Sequence, residues 1–114
     1  MKLIIATPSP FARKARVVLR EKKFTFEEII DVPWNKDTIT KDLNPLGKIP
    51  ILLQQDAEPL YDSTVIVQYL ENLKKSPRMF PLDAKDNIQA RLIEATSDGV
   101  CDAVVLIYLE HSRS

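Results

Sequence analysis

Cysteine occurs once in this 114-residue sequence, histidine once and glycine only twice. A lone Cys101 excludes an intrachain disulfide, a cysteine-rich zinc cluster and a two-cysteine redox pair, which suits a reducing cytoplasm. His111 lies near the end of the sequence, so neither a histidine base nor a metal site can be built around it. Net charge is absent too. Sixteen basic residues balance sixteen acidic ones, which leaves no global field to recruit nucleic acid or an anionic membrane. No apolar run approaches the ~18 residues of a membrane-spanning helix. The opening Met1-Lys2-Leu3-Ile4-Ile5 has a superficial likeness to a signal peptide, but it turns at once into Thr7-Pro8-Ser9-Pro10. What remains is 45% hydrophobic and free of repeats, suited to one compact domain with something appended.

Leu3 to Ala6 is a short apolar run closed by Pro8 and Pro10 and reads as a buried first strand. A helix follows. Ser9 stands at its N-cap, Pro10 at its first position, and Phe11, Ala15, Val18 and Leu19 at helical spacing among Arg13, Lys14, Arg16 and Arg20. Lys22-Lys23 closes it in the favourable dipole sense. Phe24, Phe26, Ile29 and Ile30 mark a second strand, bounded by Asp31-Val32-Pro33, and strand–helix–strand order implies a parallel pair with a right-handed crossover. Trp34 to Leu43 is polar and irregular, with about one or two helical turns between Lys36 and Asp42, and Asn44-Pro45-Leu46-Gly47 is turn material. Ile49 to Gln54 reads as the third strand and Leu60-Tyr61 as a short fourth, joined as a hairpin by Gln55 to Pro59. From Ser63, the positions Val65, Ile66, Tyr69, Leu70 and Leu73 form an amphipathic helix ending at Lys74-Lys75-Ser76-Pro77.

The expected architecture is α/β: a thioredoxin-like domain over residues 1–76, ordered βαβ-α-ββα around a four-stranded mixed sheet. Residues 77–85 read as a linker. Residues 86–114 give a long helix carrying Ile88, Leu92, Ile93, Val100, Val104, Ile107 and Tyr108. From Val100 to Leu109 this helix is apolar nearly all round apart from Asp102, so it has to be covered on more than one face. The rest of the sequence offers too little cover. The helix is therefore expected to open an incomplete all-helical domain or to pack on a partner subunit. Cys101, inside that run, is expected as a small buried hydrophobe.

The segment with most chemical meaning is Gly47-Lys48-Ile49-Pro50 leading into Ile51-Leu52-Leu53, with Asp62-Ser63 at the next helix start. A proline cannot donate a ladder hydrogen bond, so it belongs at a strand's first residue or in a turn, where the preceding bond is open to the cis form. The main chain of Ile49 is then free to pair with an extended peptide. Asp62 and Ser63 can add side-chain and helix-terminal groups beside it. Together these residues outline a peptide cradle.

Three motifs in order, Ser9-Pro10-Phe11 with Arg13, Asn44-Pro45-Leu46-Gly47-Lys48-Ile49-Pro50, and Leu60-Tyr61-Asp62-Ser63 with Ile66 and Tyr69-Leu70, closely resemble the N-terminal domain of soluble glutathione S-transferases. The likeness covers residues 1–76, and residues 86–114 are similar to the first helix of that family's all-helical second domain. The resemblance implies a cytoplasmic homodimer with glutathione as co-substrate, no metal and no other cofactor, acting on a small electrophile. It puts Phe11, Lys48, Ile49, Pro50, Asp62 and Ser63 at the glutathione. In this picture Ile49 pairs with the cysteinyl unit, Ser63 receives the γ-glutamyl carboxylate, and Asp62 serves its ammonium group. The alternative roles are capping of the helix for Ser63 and a favourable interaction with the helix dipole for Asp62. Arg13 is implied near the thiolate, Trp34 and Lys36 at the glycyl carboxylate, and Asp98 of a partner subunit at the γ-glutamyl ammonium; each has a plainer reading as a solvated or covering residue.

The family places its catalytic serine, tyrosine or cysteine at the start of the first helix, here Ser9, with Thr7 as runner-up; capping of the helix alone is the alternative role for Ser9. A free thiol has a pKa of about 8.5, and lowering it by about two units takes roughly 2.7 kcal/mol of selective thiolate stabilisation. A hydrogen bond to a charged group contributes about 1.5–3 kcal/mol, and a helix N-terminus adds roughly 0.3–1 kcal/mol for an anion. Together these suffice without a general base. Two other readings share the fold: a non-catalytic binding or regulatory module, and a glutathione-dependent oxidoreductase, against which the missing motif cysteine argues.

Overall fold

A computed structural model describes residues 1–112. The chain divides into two compact units, Met1–Pro77 and Arg78–Ser114. In the first, strand β1 (Lys2–Ile5) leads through helix α1 (Pro10–Glu21) to strand β2 (Glu27–Ile30), which pairs parallel to β1 with Ile4 opposite Ile29. A single-turn helix α2 (Thr40–Leu43) precedes strand β3 (Ile51–Leu53), which runs antiparallel to β1 with Ile4 opposite Ile51. Helix α3 (Ser63–Leu73) completes the unit and packs on α1. The sheet order is β2-β1-β3.

Leu3, Ile4 and Ile5 are all buried, and successive side chains of a strand point to opposite faces, so β1 is covered on both sides. Ala15 and Leu19 of α1 and Ile66 and Leu70 of α3 complete this core with Ile51 and Leu52. Each fully buried leucine or isoleucine contributes about 1.5–3 kcal/mol.

The thioredoxin-like arrangement is as the sequence predicts, with one correction: the sheet has three strands, not four. The fourth segment shrinks to an isolated bridge in which Leu60 and Leu52 exchange both main-chain bonds at 2.9 and 3.0 Å. Pro59 before it has no N–H to give, and Asp62 two residues on already caps α3, so pairing has no room to extend. The second and third strands are shorter than expected for related reasons. Residues 24–26 are spent on leaving α1, and Pro50 bars extension of β3 toward Ile49.

Helix α1 ends without glycine. Lys23 takes a left-handed φ of 58°, and the bonds Phe24 N–H to Leu19 C=O and Lys23 N–H to Arg20 C=O form a Schellman stop. Lys22 is not the solvated, dipole-facing residue that its neighbour suggests. It is fully buried, ion-paired to Glu71 at 2.7 Å, and donates to the carbonyls of Lys74 and Pro77. The pair fastens the last turn of α1 to the last turn of α3.

The second unit is dominated by helix α4 (Ala84–His111). It begins two residues earlier than the sequence reading, because the Asp83 carboxylate accepts from the Asp86 N–H at 3.0 Å and serves as N-cap. Arg91 lies over the Phe80 ring at 4.3 Å, and Asn87 donates to the Pro81 carbonyl. No residue of α4 is buried, and Ile88, Leu92, Ile93, Val100, Val104 and Ile107 stand exposed. Cys101 is accordingly only partly covered rather than a core residue. No helix among the described residues is long and apolar enough to cross a membrane.

Candidate functional site

The topology brings the chemically suggestive residues of the first unit to one edge of the sheet. Strand β1 ends at Ile5, and two main-chain bonds fasten neighbouring segments to this end: Asp31 N–H donates to the Ile5 carbonyl, and Ser9 N–H to the Ala6 carbonyl. Because β3 is antiparallel to β1 with Ile51 opposite Ile4, residues Ile49 and Pro50 lie beyond the same end. The Leu52–Leu60 bridge is antiparallel as well, so the chain rises past Leu60 and delivers Asp62 and Ser63 there. Helices α1 and α3 thus run side by side with both N-termini at this edge, where the Lys14 ammonium donates to the Thr64 hydroxyl at 3.4 Å. Ligands of open α/β sheets gather at such carboxyl ends of strands.

Ser9 is the N-cap of α1. Its hydroxyl oxygen accepts from the Ala12 N–H at 3.2 Å, and Pro10 follows in the first helical turn. That bond uses a lone pair and leaves the hydroxyl proton free to donate. Thr7 is exposed in the turn before it, Phe11 is half-buried, and Arg13 is exposed on the helix.

The turn before β3 is built by Asn44, which is buried. Its carboxamide donates to the Lys48 carbonyl at 2.9 Å and accepts from the Leu46 N–H at 2.9 Å, while Gly47 N–H donates to the Asn44 carbonyl. Gly47 has φ +64°, a conformation that favours glycine. The Ile49–Pro50 bond is cis, Pro50 is buried, and Lys48 is exposed. Among the described residues, no hydrogen bond engages the N–H or C=O of Ile49. The cradle expected at this strand entrance therefore has an open main chain.

At α3, Asp62 rather than Ser63 is the cap: one carboxylate oxygen accepts from the N–H groups of Thr64 and Val65 at 3.0 and 3.4 Å. The Tyr61–Asp62 bond is cis as well. Ser63 occupies the first helical position and is only 3% exposed. Its N–H and its hydroxyl have no partner among the described residues, yet the hydroxyl oxygen is not sealed from solvent. Two donors at a helix start, one from the main chain and one from a side chain, suit a carboxylate.

The connector after β2 is more ordered than its composition conveys. It forms two consecutive turns, Asn35 N–H to Val32 C=O and Thr38 N–H to Asn35 C=O, which place Trp34 and Lys36 on exposed corners. Trp34 is 60% exposed. The helical part is confined to α2, because Asp31 ties residues 38–40 back to the end of β2. One oxygen of its carboxylate accepts from the hydroxyls of Thr38 and Thr40 and from the N–H groups of Ile39 and Thr40. Burial acts to raise the Asp31 pKa, but these hydrogen bonds outweigh it and hold the carboxyl below its ordinary value.

Asp31 and Lys14 are the members of this edge that sequence reasoning missed, whereas Asn44 falls in the turn that the sequence marks. Asn44 in Asn-Pro-x-Gly carries an Asx-turn signal. The other two carry no local signal. Asp98 lies midway along α4, in the other unit. Among the described residues no cluster of three His, Cys, Asp or Glu side chains is placed to hold a metal.

Residues 8–73 match the family described as glutathione S-transferase, N-terminal domain. The chain belongs to the glutathione S-transferase family. It is 40% identical to the uncharacterized GST-like protein YibF of Escherichia coli, covering 99% of this chain and 56% of that protein. It is similar to a glutathione S-transferase from Methylobacterium radiotolerans solved with glutathione sulfonate, at 43% identity and a TM-score of 0.94 over 99% of this chain and 53% of that one. A glutathione S-transferase from Methylobacillus flagellatus solved with glutathione matches at 42% identity and a TM-score of 0.90, over 99% of this chain and 56% of that one. The chain thus spans little more than half the length of these relatives.

Proposed function

We propose that this chain is the glutathione-binding half of a cytoplasmic glutathione transferase that stabilises the glutathione thiolate for attack on a small, apolar electrophile. The observation that carries the reading is the coincidence, at one sheet edge, of an open Ile49 main chain, two unpartnered donors on Ser63, and a Ser9 hydroxyl with its proton to spare. From β2 across β1 and β3 to the Leu60 bridge the edge measures about 14 Å, taking about 4.8 Å per strand. An extended tripeptide reaches about 10–11 Å, so glutathione fits along it. Its γ-glutamyl carboxylate sits on the Ser63 donors and its ammonium beside Asp62. Its cysteinyl unit pairs with Ile49, flanked by Pro50 and Phe11, and its glycyl end lies toward Lys48 and the Trp34–Lys36 corner. The sulfur then meets Ser9 at the tip of α1, where hydroxyl and helix N-terminus both favour the anion. Thr7, exposed and two residues earlier, is the lesser candidate, and Arg13 adds positive potential one turn away.

The two related structures that hold glutathione or its sulfonate support this reading. Helix α4 is the first helix of an all-helical domain whose remainder supplies the electrophile pocket and covers the apolar face of α4. Homodimerisation brings the partner's Asp98 to the γ-glutamyl ammonium. The test is a titration with glutathione, following thiolate absorbance. The wild type binds and ionises the thiol; Ser9→Ala still binds but raises the bound thiol's pKa by more than about one unit, the loss of a charge-assisted hydrogen bond. An unchanged titration in Ser9→Ala removes Ser9 from the chemistry. Absence of binding by the wild type removes the function.

A further inference from the structure

We infer that Asp31 is a positioning residue for the glycyl end of bound glutathione, holding the Trp34–Lys36 corner at the site through the four donors gathered on its carboxylate. The inference rests on the glutathione reading above and goes beyond it, since the four donors on Asp31 all belong to residues 38–40.

The geometry is that of a brace. The connector leaves β2 at Asp31 and returns at Thr40, and a single carboxylate oxygen closes that gap with two hydroxyl and two main-chain donors. Thr40 is fully buried, so the returning end is fixed in the core, and Asp31 N–H is fixed to the Ile5 carbonyl at the departing end. Between the two anchors lie eight residues, the first seven of them in two tight turns. No other side-chain hydrogen bond or ion pair among the described residues holds Val32 to Asp37, and Trp34 and Lys36 are both exposed. Their placement therefore depends on closure of the loop base. Every group facing the Asp31 oxygen is a donor, so the ionised carboxylate is the form that satisfies them all. Closure on the end of β1 also fixes the corner relative to Ser9, whose N–H is held one residue further along, on Ala6.

If loss of the brace leaves the corner in its working position only about a tenth of the time, the apparent dissociation constant rises about tenfold, in inverse proportion to the competent fraction. That penalty falls only on ligands that use the corner. Glutathione and γ-glutamylcysteine, which lacks the glycyl residue, are the probes, titrated calorimetrically against the full protein. Asp31→Ala is expected to weaken glutathione about tenfold and leave γ-glutamylcysteine unchanged. Asp31→Asn, which keeps one acceptor oxygen, restores most of the loss. Lys36→Ala weakens glutathione in the wild type and has no further effect in the Asp31→Ala background. Thr38→Val, which deletes one donor, gives a smaller loss with the same ligand selectivity and serves if Asp31→Ala does not fold. Equal weakening of both ligands makes Asp31 a structural residue only and overturns the inference, as does no weakening of either. A wild type that binds neither ligand overturns the glutathione reading itself, and the positioning role with it.

Discussion

The Lys22–Glu71 pair is the feature whose removal should cost the first unit most. An ammonium has three protons, and all three find acceptors here: Glu71 Oε1 at 2.7 Å and the carbonyls of Lys74 and Pro77. Lys22 is fully buried and Glu71 is 6% exposed, so neither charge is compensated by water. Glu71→Leu leaves a buried ammonium on two neutral acceptors and should destabilise by about 3–5 kcal/mol. Lys22→Met should cost at least as much. It deprives the Glu71 carboxylate of this cation and orphans two carbonyls at about 1–3 kcal/mol each. The double variant Lys22→Met/Glu71→Leu removes both buried charges of the pair and retains the carbonyl penalty, so it should be milder than the sum of its parents by several kcal/mol, on the order of the buried-ion cost. Urea unfolding followed by far-UV circular dichroism, with unchanged m-values as the check on a comparable transition, reads all three. Domains of this size hold about 5–15 kcal/mol in total, so Lys22→Met approaches outright unfolding. A Glu71→Leu loss under about 1 kcal/mol, the range of an exposed pair, refutes the reasoning, and so does simple additivity of the two single variants.

Asp31 makes the acid limb of stability sensitive to one carboxyl: its folded pKa lies below the unfolded value of about 3.9, so its contribution is complete above that value and is lost as pH falls through the folded pKa. The urea midpoint of the wild type should therefore drop more than that of Asp31→Asn between about pH 6 and about pH 3; parallel curves count against the clamp. Gly47→Ala should cost about 1–2 kcal/mol for backbone reasons alone, because φ is +64° while the added methyl meets nothing nearer than Lys41 Cγ at 3.7 Å. A neutral result there means the turn can relax. Asp62→Asn keeps a cap oxygen and should leave stability nearly unchanged, yet weaken glutathione by removing the negative partner of its ammonium; a loss of stability with unaltered binding reverses that assignment.

Where the determinants were local, the fold was legible. Ser9 and Pro10 announce the start of α1 because a cap oxygen and a proline at the first turn act within three residues of each other, and α3 follows from helical spacing between Val65 and Leu73. Where they were remote, it was not. Nothing adjacent to Asp31 says that its carboxylate will gather donors seven to nine residues away, so the connector read as irregular. Lys22 and Lys23 are identical in sequence, but one enters the core against α3, about fifty residues on, and the other takes a left-handed turn on the surface. The position of the fourth segment is legible and its length is not, since alternation cannot reveal that Asp62 is already needed by the next helix. The edge carrying Ser9, Ile49 and Ser63 was legible as a set of motifs. Its openness was not, because unpartnered donors become visible only once every neighbouring bond is counted.

That openness also dissolves the opposition between capping and ligand binding that the sequence poses at both helix starts. At α1 the two roles share one oxygen: the Ser9 lone pair stabilises the Ala12 N–H while the proton on the other side remains to donate. At α3 they are divided between neighbours. Asp62 satisfies the N–H groups of Thr64 and Val65 with one carboxylate oxygen, which releases the Ser63 hydroxyl and N–H from any duty within the helix. The order of the pair is what makes this work. A serine followed by an aspartate could still cap the helix, but it would aim a carboxylate at the place proposed for the γ-glutamyl carboxylate, and like charges there would cost more than the helix dipole returns. The same two residue types therefore stabilise the fold in either order, and only Asp62 before Ser63 leaves the helix tip able to receive an anion.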